Sequence, residues 1–172
     1  RWHDGTISIA QEHMATESLV AVARDLLRLL DTAHGAPPAL VACFADEDHV
    51  LPLYGVAFTL IRWGYQPVVL GARTPPSAIR HAVESIQPEL VGLSVTVAPP
   101  AYRARELISD YAQAAQSVPW IVGGPGSDQL QPMIEESGGI VVGTRPLEEV
   151  RLLLTGALGS GACLDSADKA II

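Results

Sequence analysis

Ala39-Leu40-Val41-Ala42-Cys43-Phe44-Ala45-Asp46-Glu47-Asp48-His49-Val50-Leu51-Pro52 is the stretch that decides the fold. An unbroken apolar run gives way at once to an acidic loop, and the loop to a helix-period pattern over Leu53–Trp63. A short strand apolar on both faces, followed directly by a helix, is the opening unit of a parallel sheet covered on both sides. The unit recurs along the chain. Strands are expected at Leu40–Phe44, Pro67–Leu70, Leu90–Val95, Trp120–Val122 and Ile140–Val142. Helical patterns follow them at Leu53–Trp63, Pro76–Ile86, Tyr102–Ala115, Asp128–Glu136 and Leu147–Leu154. Pro75, Pro76 and Pro146 stand at first helical turns, where a missing N–H is harmless.

The expected fold class is therefore α/β: a flavodoxin-like, doubly wound parallel sheet of five strands, preceded by part of a helical bundle. In such a sheet ligands bind beyond the carboxyl ends of the strands, so the loops after Phe44, Val95 and Val122 are where chemistry is sought. Composition agrees. The chain has 172 residues, 48% hydrophobic and 17% charged, which is ample material for a core and excludes intrinsic disorder. Lys plus Arg number 11 against 19 for Asp plus Glu, a net charge of −8, and the single lysine is Lys169. That balance argues against a direct grip on nucleic acid. Apolar runs such as Val56 to Ile61 are too short to span a membrane, and Cys43 and Cys163 suggest no disulfide framework. A cytoplasmic setting is expected. The chain opens at Arg1 and not at Met, so sequence upstream of it is expected as well.

Ahead of the sheet, residues 1–30 read as helical, 31–38 as a linker broken by Gly35, Pro37 and Pro38, 39–156 as the α/β domain and 157–172 as a flexible tail rich in Gly, Ala and Ser. Asp4-Gly5-Thr6 is turn chemistry, so Trp2 and His3 end one helix. Ser8 with Gln11 forms a capping box that starts the next. Along it, Leu19, Val22, Ala23, Leu26, Leu27 and Leu30 recur at helical spacing and are expected to be buried, against the α/β domain, further helices or another subunit.

Taken singly, the strand-end motifs are weak. Asp46-Glu47-Asp48-His49 places a carboxylate where it can accept one ring N–H of His49 and leave the other nitrogen basic and free for a metal; alone it reads more readily as a solvated acidic loop. Ser94 and Thr96 offer hydroxyls that either bind a ligand or cap a helix. Gly123-Gly124 permits close backbone approach, to a flat ligand or only within a tight turn.

In combination they are more specific. Glu47-x-His49-x-x-Pro52 is followed after 41 residues by Ser94-x-Thr96 and after 26 more by Gly123-Gly124. This resembles the cobalamin-binding domain of methionine synthase, the cobalamin mutases and corrinoid carriers, with its Asp-x-His-x-x-Gly, Ser-x-Leu and Gly-Gly motifs. The resemblance implies that His49 is the lower axial ligand of cobalt, and that the displaced nucleotide tail runs down a slot lined by Ser94, Thr96, Gly123 and Gly124. Three departures stand out. Glu47 replaces Asp and reaches further, Thr96 replaces Leu, and Pro52 replaces Gly, which alters the loop but suits a first helical turn. Upstream, Trp2 followed by nine residues and Glu12-His13 resembles the Trp-x9-Glu-His motif of light-sensing cobalamin proteins of the CarH/LitR type. That resemblance implies a helical module over the upper corrin face, with Trp2, Glu12 and His13 against an adenosyl group. It also implies that His3 binds cobalt after light breaks the cobalt–carbon bond.

The expected function is thus a non-enzymatic light sensor. It binds adenosylcobalamin and signals through a conformational or oligomeric change, as a homo-oligomer, to an effector domain or partner protein such as a transcription regulator. Some relatives of this layout also hold a bilin such as biliverdin, but no residue here establishes one. The alternative is a corrinoid methyl carrier, for which a Trp lid and a competing His3 would be counterproductive. A mutase subunit would need a catalytic barrel from another chain. A phosphoacceptor receiver domain is excluded because Ser94 and Gly143 stand where its aspartate and lysine belong. A zinc site of His3, His13 and His49 would leave Ser94 and the glycine pair unexplained, and His34 and His81 read as surface residues.

Overall fold

The fold was analysed in a computed structural model, which describes residues 7–30, 34–143 and 145–158. Trp2, His3, the first part of the linker and residues 159–172 lie outside the described residues. The elements are α1 (Ile9–Leu29), β1 (Pro38–Cys43), α2 (Leu51–Arg62), β2 (Gln66–Gly71), α3 (Pro76–Ile86), β3 (Leu90–Ser94), α4 (Ala101–Ala115), β4 (Trp120–Gly123), α5 (Ser127–Glu136), β5 (Ile140–Val141) and α6 (Leu147–Leu158). All five strands are parallel, in the order β2-β1-β3-β4-β5. This is the flavodoxin-like, doubly wound sheet expected from the alternation of strand and helix patterns.

Strand alternation sorts the core into two layers. On one face Leu40, Ala42 and Phe44 join Val91, Leu93, Val95 and Val122 beneath α3, α4 and α5. On the other, Ala39, Val41, Cys43, Leu90 and Ile121 pack under α2 and α6. Because successive side chains point to opposite faces, every central residue must be apolar or small, which is why these strands read as continuous runs.

Element ends differ from the sequence reading by one to four residues, and two of them cross the expected limits of the α/β domain. β1 starts at Pro38, inside the stretch read as linker, since the first position of a strand tolerates a residue with no N–H to donate. α6 continues to Leu158, beyond Leu154 and into the stretch read as tail.

The stripe on α1 is only partly covered within this chain. The helix begins as expected: Ser8 Oγ accepts the Gln11 N–H at 3.2 Å and Gln11 Oε1 accepts the Ser8 N–H at 2.9 Å. Its inward face, however, is Val20, Ala23 and half-buried Leu27, set against Tyr54, Phe58 and Val50, and Arg24 Nε donates to Tyr54 Oη at 3.3 Å. Leu19, Val22, Leu26 and Leu30 are exposed. The sheet face on this side is already covered by α2 and α6, so α1 rests on α2 and can bury only a narrow strip. Among the described residues no helix is long and apolar enough to cross a membrane.

Candidate functional site

The strand order reverses direction between β1 and β3, so the loops at their carboxyl ends diverge and open a crevice there. Residues 44–50 follow β1 and residues 95–100 follow β3. The two loops are tied together by Glu47, whose side chain is 3% exposed. Its Oε2 accepts the backbone N–H of Thr96 at 2.5 Å and of Val97 at 3.2 Å. Its Oε1 accepts the backbone N–H of His49 at 2.8 Å and faces His49 Nδ1 at 2.5 Å. Burial by itself would raise the Glu47 carboxyl. The hydrogen bonds from the His49 and Thr96 amides, the His49 ring and the Val97 amide outweigh it and hold the group below the usual carboxylate range.

The consequence for the imidazole is a defined tautomer. An ionised Glu47 can only accept, so Nδ1 carries a proton, and in the neutral ring the lone pair is on Nε2. The His49 side chain is 63% exposed. Beneath it, the Cys43 thiol is buried at the end of β1 and donates to the His49 carbonyl at 3.6 Å. Burial, reinforced by the Glu47 and Asp48 carboxylates, pushes it up to about 12, so it stays a thiol and offers no thiolate to a metal. The other two acidic residues of the loop are not free either. Asp46 accepts from Arg103 Nε at 3.0 Å, and Asp48 accepts from Arg73 Nε and Nη2 at 2.5 and 2.6 Å.

Since the folded Glu47 value is depressed, its stabilisation is complete above the unfolded carboxylate value of about 4.3. It is lost as pH falls through the lower folded value. We therefore expect the melting temperature to drop steeply below about pH 4. Glu47→Gln should be less stable at neutral pH by about 1–3 kcal/mol and flatter across the acid range. An equally steep acid profile in the variant would place the titrating group elsewhere.

Beside this cluster a cavity of about 290 Å³ runs between α2 and the sheet. It exists because the strand positions facing α2 are small. Gly92 and Ser94 on β3 and Gly123 on β4 point where neighbouring strands carry Val41 and Ile121, and Gly124 and Gly143 continue the wall. The opposite wall is one face of α2, with Pro52, Val56, Thr59 and Trp63 at helical spacing and Gly55 beside them. Pro52 sits in the first turn of α2, as its chemistry requires.

The two adjacent glycines differ. At Gly124 φ is +98° and a Cβ would lie 2.4 Å from the Val95 carbonyl oxygen, so this position admits no side chain. At Gly123 the nearest atom to an added Cβ is 3.7 Å away; packing does not demand glycine there, whereas an open cavity does.

The structure thus gathers Glu47, His49 and Thr96 into one hydrogen-bonded cluster and puts Ser94, Gly123 and Gly124 on the cavity wall. Thr96 does not line that wall. Its amide is committed to Glu47, and its hydroxyl is buried without a hydrogen-bond partner among the described residues. Glu12 and His13 lie in the exposed first turns of α1, where Glu12 accepts from Thr16 Oγ1 at 3.0 Å and approaches His13 at 3.6 Å. They precede Val20, where the helix first seats on the domain. His34 and His81 are exposed, as read. Sequence reasoning did not single out Gly55, Thr59, Trp63 and Gly143. The small residues interrupting the apolar face of α2, and the glycine ending β5, were the available signals.

Among the described residues no group of three or more His, Cys, Asp or Glu side chains converges on a point. His49 offers a metal one nitrogen donor, on the loop that leads into α2 and its cavity with small residues on the sheet side. Such a donor set suits a metal whose other ligands come from a macrocycle with a long appendage, and the residues present fit that group.

Comparison with known proteins agrees. Residues 37–151 match the B12 binding domain family model. The chain is 31% identical over 141 residues to the HTH-type transcriptional repressor CarH of Myxococcus xanthus, covering 78% of this chain and 45% of that protein. It is 30% identical over 121 residues to the repressor CarA of the same organism, covering 70% and 42%. The chain therefore spans less than half the length of either relative. Its fold also resembles the Methanosarcina barkeri monomethylamine corrinoid protein, with a TM-score of 0.64 at 19% identity, covering 88% of this chain and 73% of that one. The match to the family model extends over β1 to α6, the whole sheet with its crevice and cavity, and the chain belongs to the B12-binding domain family.

Proposed function

We propose that this chain is the sensory module of a light-responsive, cobalamin-dependent regulator, with no catalytic turnover of its own. The observation that carries the cobalamin reading is the Glu47–His49 pair on the loop that leads into α2, the helix that walls the small-residue cavity. Sequence similarity to two transcriptional repressors supports a regulatory output. Bound there, adenosylcobalamin would supply a coloured cobalt centre whose cobalt–carbon bond is broken by light.

The work of the chain's own residues follows from their geometry. Glu47 holds the Nδ1 proton and so aims the Nε2 lone pair outward, and a neutral imidazole is a good donor to a transition metal. Ser94, Gly123 and the face of α2 around Gly55 leave room for a nucleotide tail. Glu12 and His13 on α1, with Trp2 and His3, are assigned the upper side by their resemblance to the Trp-x9-Glu-His motif. Light would then change which contacts hold that helical module, and a change in self-association or partner binding would carry the signal.

The test is an absorption spectrum of protein loaded with adenosylcobalamin in the dark, repeated after green light and paired with size-exclusion chromatography. A lasting spectral change with a shift in elution is expected. Protein that stays colourless overturns the cobalamin reading. A light-insensitive protein that cycles with a methyl donor would instead be a corrinoid carrier.

Gly55 provides a second check. It lies inside α2, and an added Cβ meets nothing within 4 Å. Removing a helical glycine gains about 0.5–1 kcal/mol. Gly55→Leu should therefore raise the melting temperature slightly while weakening cobalamin uptake roughly tenfold or more by filling the slot. Unchanged uptake would remove α2 from the binding wall.

A further inference from the structure

The loop after β2 makes more contacts with the histidine loop than a surface connection needs, and most of them come from one residue. The Arg73 backbone N–H donates to the Glu47 carbonyl at 3.0 Å, and its guanidinium grips Asp48 with two parallel hydrogen bonds. Arg73 therefore holds both residues that precede His49, one by its backbone and one by its side chain. It does so in the left-handed region, at φ +48°, a conformation that costs a side-chain-bearing residue energy and suits glycine better.

The surroundings enforce that conformation. The next residue, Thr74, donates its N–H to the Cys43 carbonyl at 3.3 Å and accepts from the Tyr111 hydroxyl at 2.7 Å, while that hydroxyl accepts the Ala45 N–H at 2.8 Å. Phe44 packs on the Tyr111 ring with centroids 4.9 Å apart. The β2–α3 loop is thus braced against both ends of the segment that carries the imidazole.

Stability does not account for an arginine here. The pair is largely exposed, 68% at Arg73 and 60% at Asp48, and exposed pairs contribute little. A bidentate guanidinium–carboxylate contact fixes direction as well as distance.

We propose that Arg73 is a positioning residue for the His49 imidazole, setting through Asp48 and the Glu47 carbonyl the direction in which Nε2 faces a ligand. The consequence for cobalamin rests on the function proposed above; the consequence for the ring itself does not.

Three variants separate the side chain from the backbone: Arg73→Ala, Arg73→Gly, which suits the positive φ, and Arg73→Lys, which keeps the charge without the fork. In cobalamin-free protein, ¹⁵N NMR of the imidazole nitrogens reads the tautomer, and amide exchange at Thr96 reads the Glu47 clamp. In Arg73→Ala and Arg73→Gly we expect a loss of the single Nδ1–H tautomer and faster Thr96 exchange. Affinity for aquacobalamin, followed by absorption, should fall about tenfold, as for loss of an outer partner at a metal site. Arg73→Lys should recover part of each.

Wild-type imidazole shifts in Arg73→Ala would overturn the proposal, as would a wild-type profile in Arg73→Gly, since the backbone alone would then suffice. If the wild-type protein takes up no aquacobalamin, the proposed function fails, and the tautomer measurement still decides the role of Arg73.

Discussion

Replacing His49 by alanine is expected to lower cobalamin affinity roughly 100-fold, the upper end of what the loss of outer partners costs metal sites, and to remove the spectral contribution of a protein nitrogen. The remaining binding should look like the free cofactor, carrying its own base or water. The fold should survive, because the side chain is 63% exposed and Glu47 keeps its three backbone donors. The loss of one hydrogen bond costs about 1 kcal/mol. Excess imidazole should partly restore the wild-type spectrum, since the variant leaves the donor's space empty beside an intact Glu47. A His49→Ala protein with wild-type affinity and band positions would show that the metal takes its lower ligand elsewhere.

The largest expected loss of stability is at Gly124. Alanine there brings a Cβ to 2.4 Å from the Val95 carbonyl oxygen and 3.0 Å from the Val95 carbonyl carbon, at a φ of +98°. Neither neighbour is a side-chain end that could swing away. Backbone strain of about 1–3 kcal/mol adds to an overpacking cost of similar size. We expect about 4 kcal/mol of destabilisation, a fall of roughly 10 °C in melting temperature. Gly123→Ala is the matched control. With 3.7 Å to its nearest neighbour it should fold with little penalty and lose affinity for cobalamin, because its methyl enters the cavity. If the two variants behave alike, the division of the pair into one structural and one binding glycine is wrong.

How much of this was legible beforehand differs from one residue to the next. The five strands and the helices between them could be read because burial on both faces forces continuous apolar runs, and α2 to α6 announce themselves by helical spacing. The pairing of Glu47 with His49 is two residues apart and so is also local. By contrast, the Glu47 contacts with the Thr96 and Val97 amides cross about fifty positions of chain, and nothing in the local pattern of either segment implies them. Thr96 looked like a wall residue by its place in a motif, yet the wall is made by Ser94, because β3 ends at Ser94 and Thr96 lies in the loop beyond it, with its amide turned to Glu47. The outer side of α1 shows a related limit of local pattern. Hydrophobic spacing shows which positions want burial, and whether an element arrives to bury them depends on what already covers the sheet.

The amino-acid sequence by itself determined the layer order, the position of the imidazole at a strand end and the small residues that hollow out the sheet face, since each follows from nearest-neighbour periodicity and side-chain volume. Only the tertiary structure decided which polar groups meet: the carboxylate shared between two loops, the left-handed Arg73 bracing the histidine segment, and α2 as the second wall of the cavity. Those depend on how crossover connections stack in space, and a linear order of residues encodes that only through the packing of the whole core.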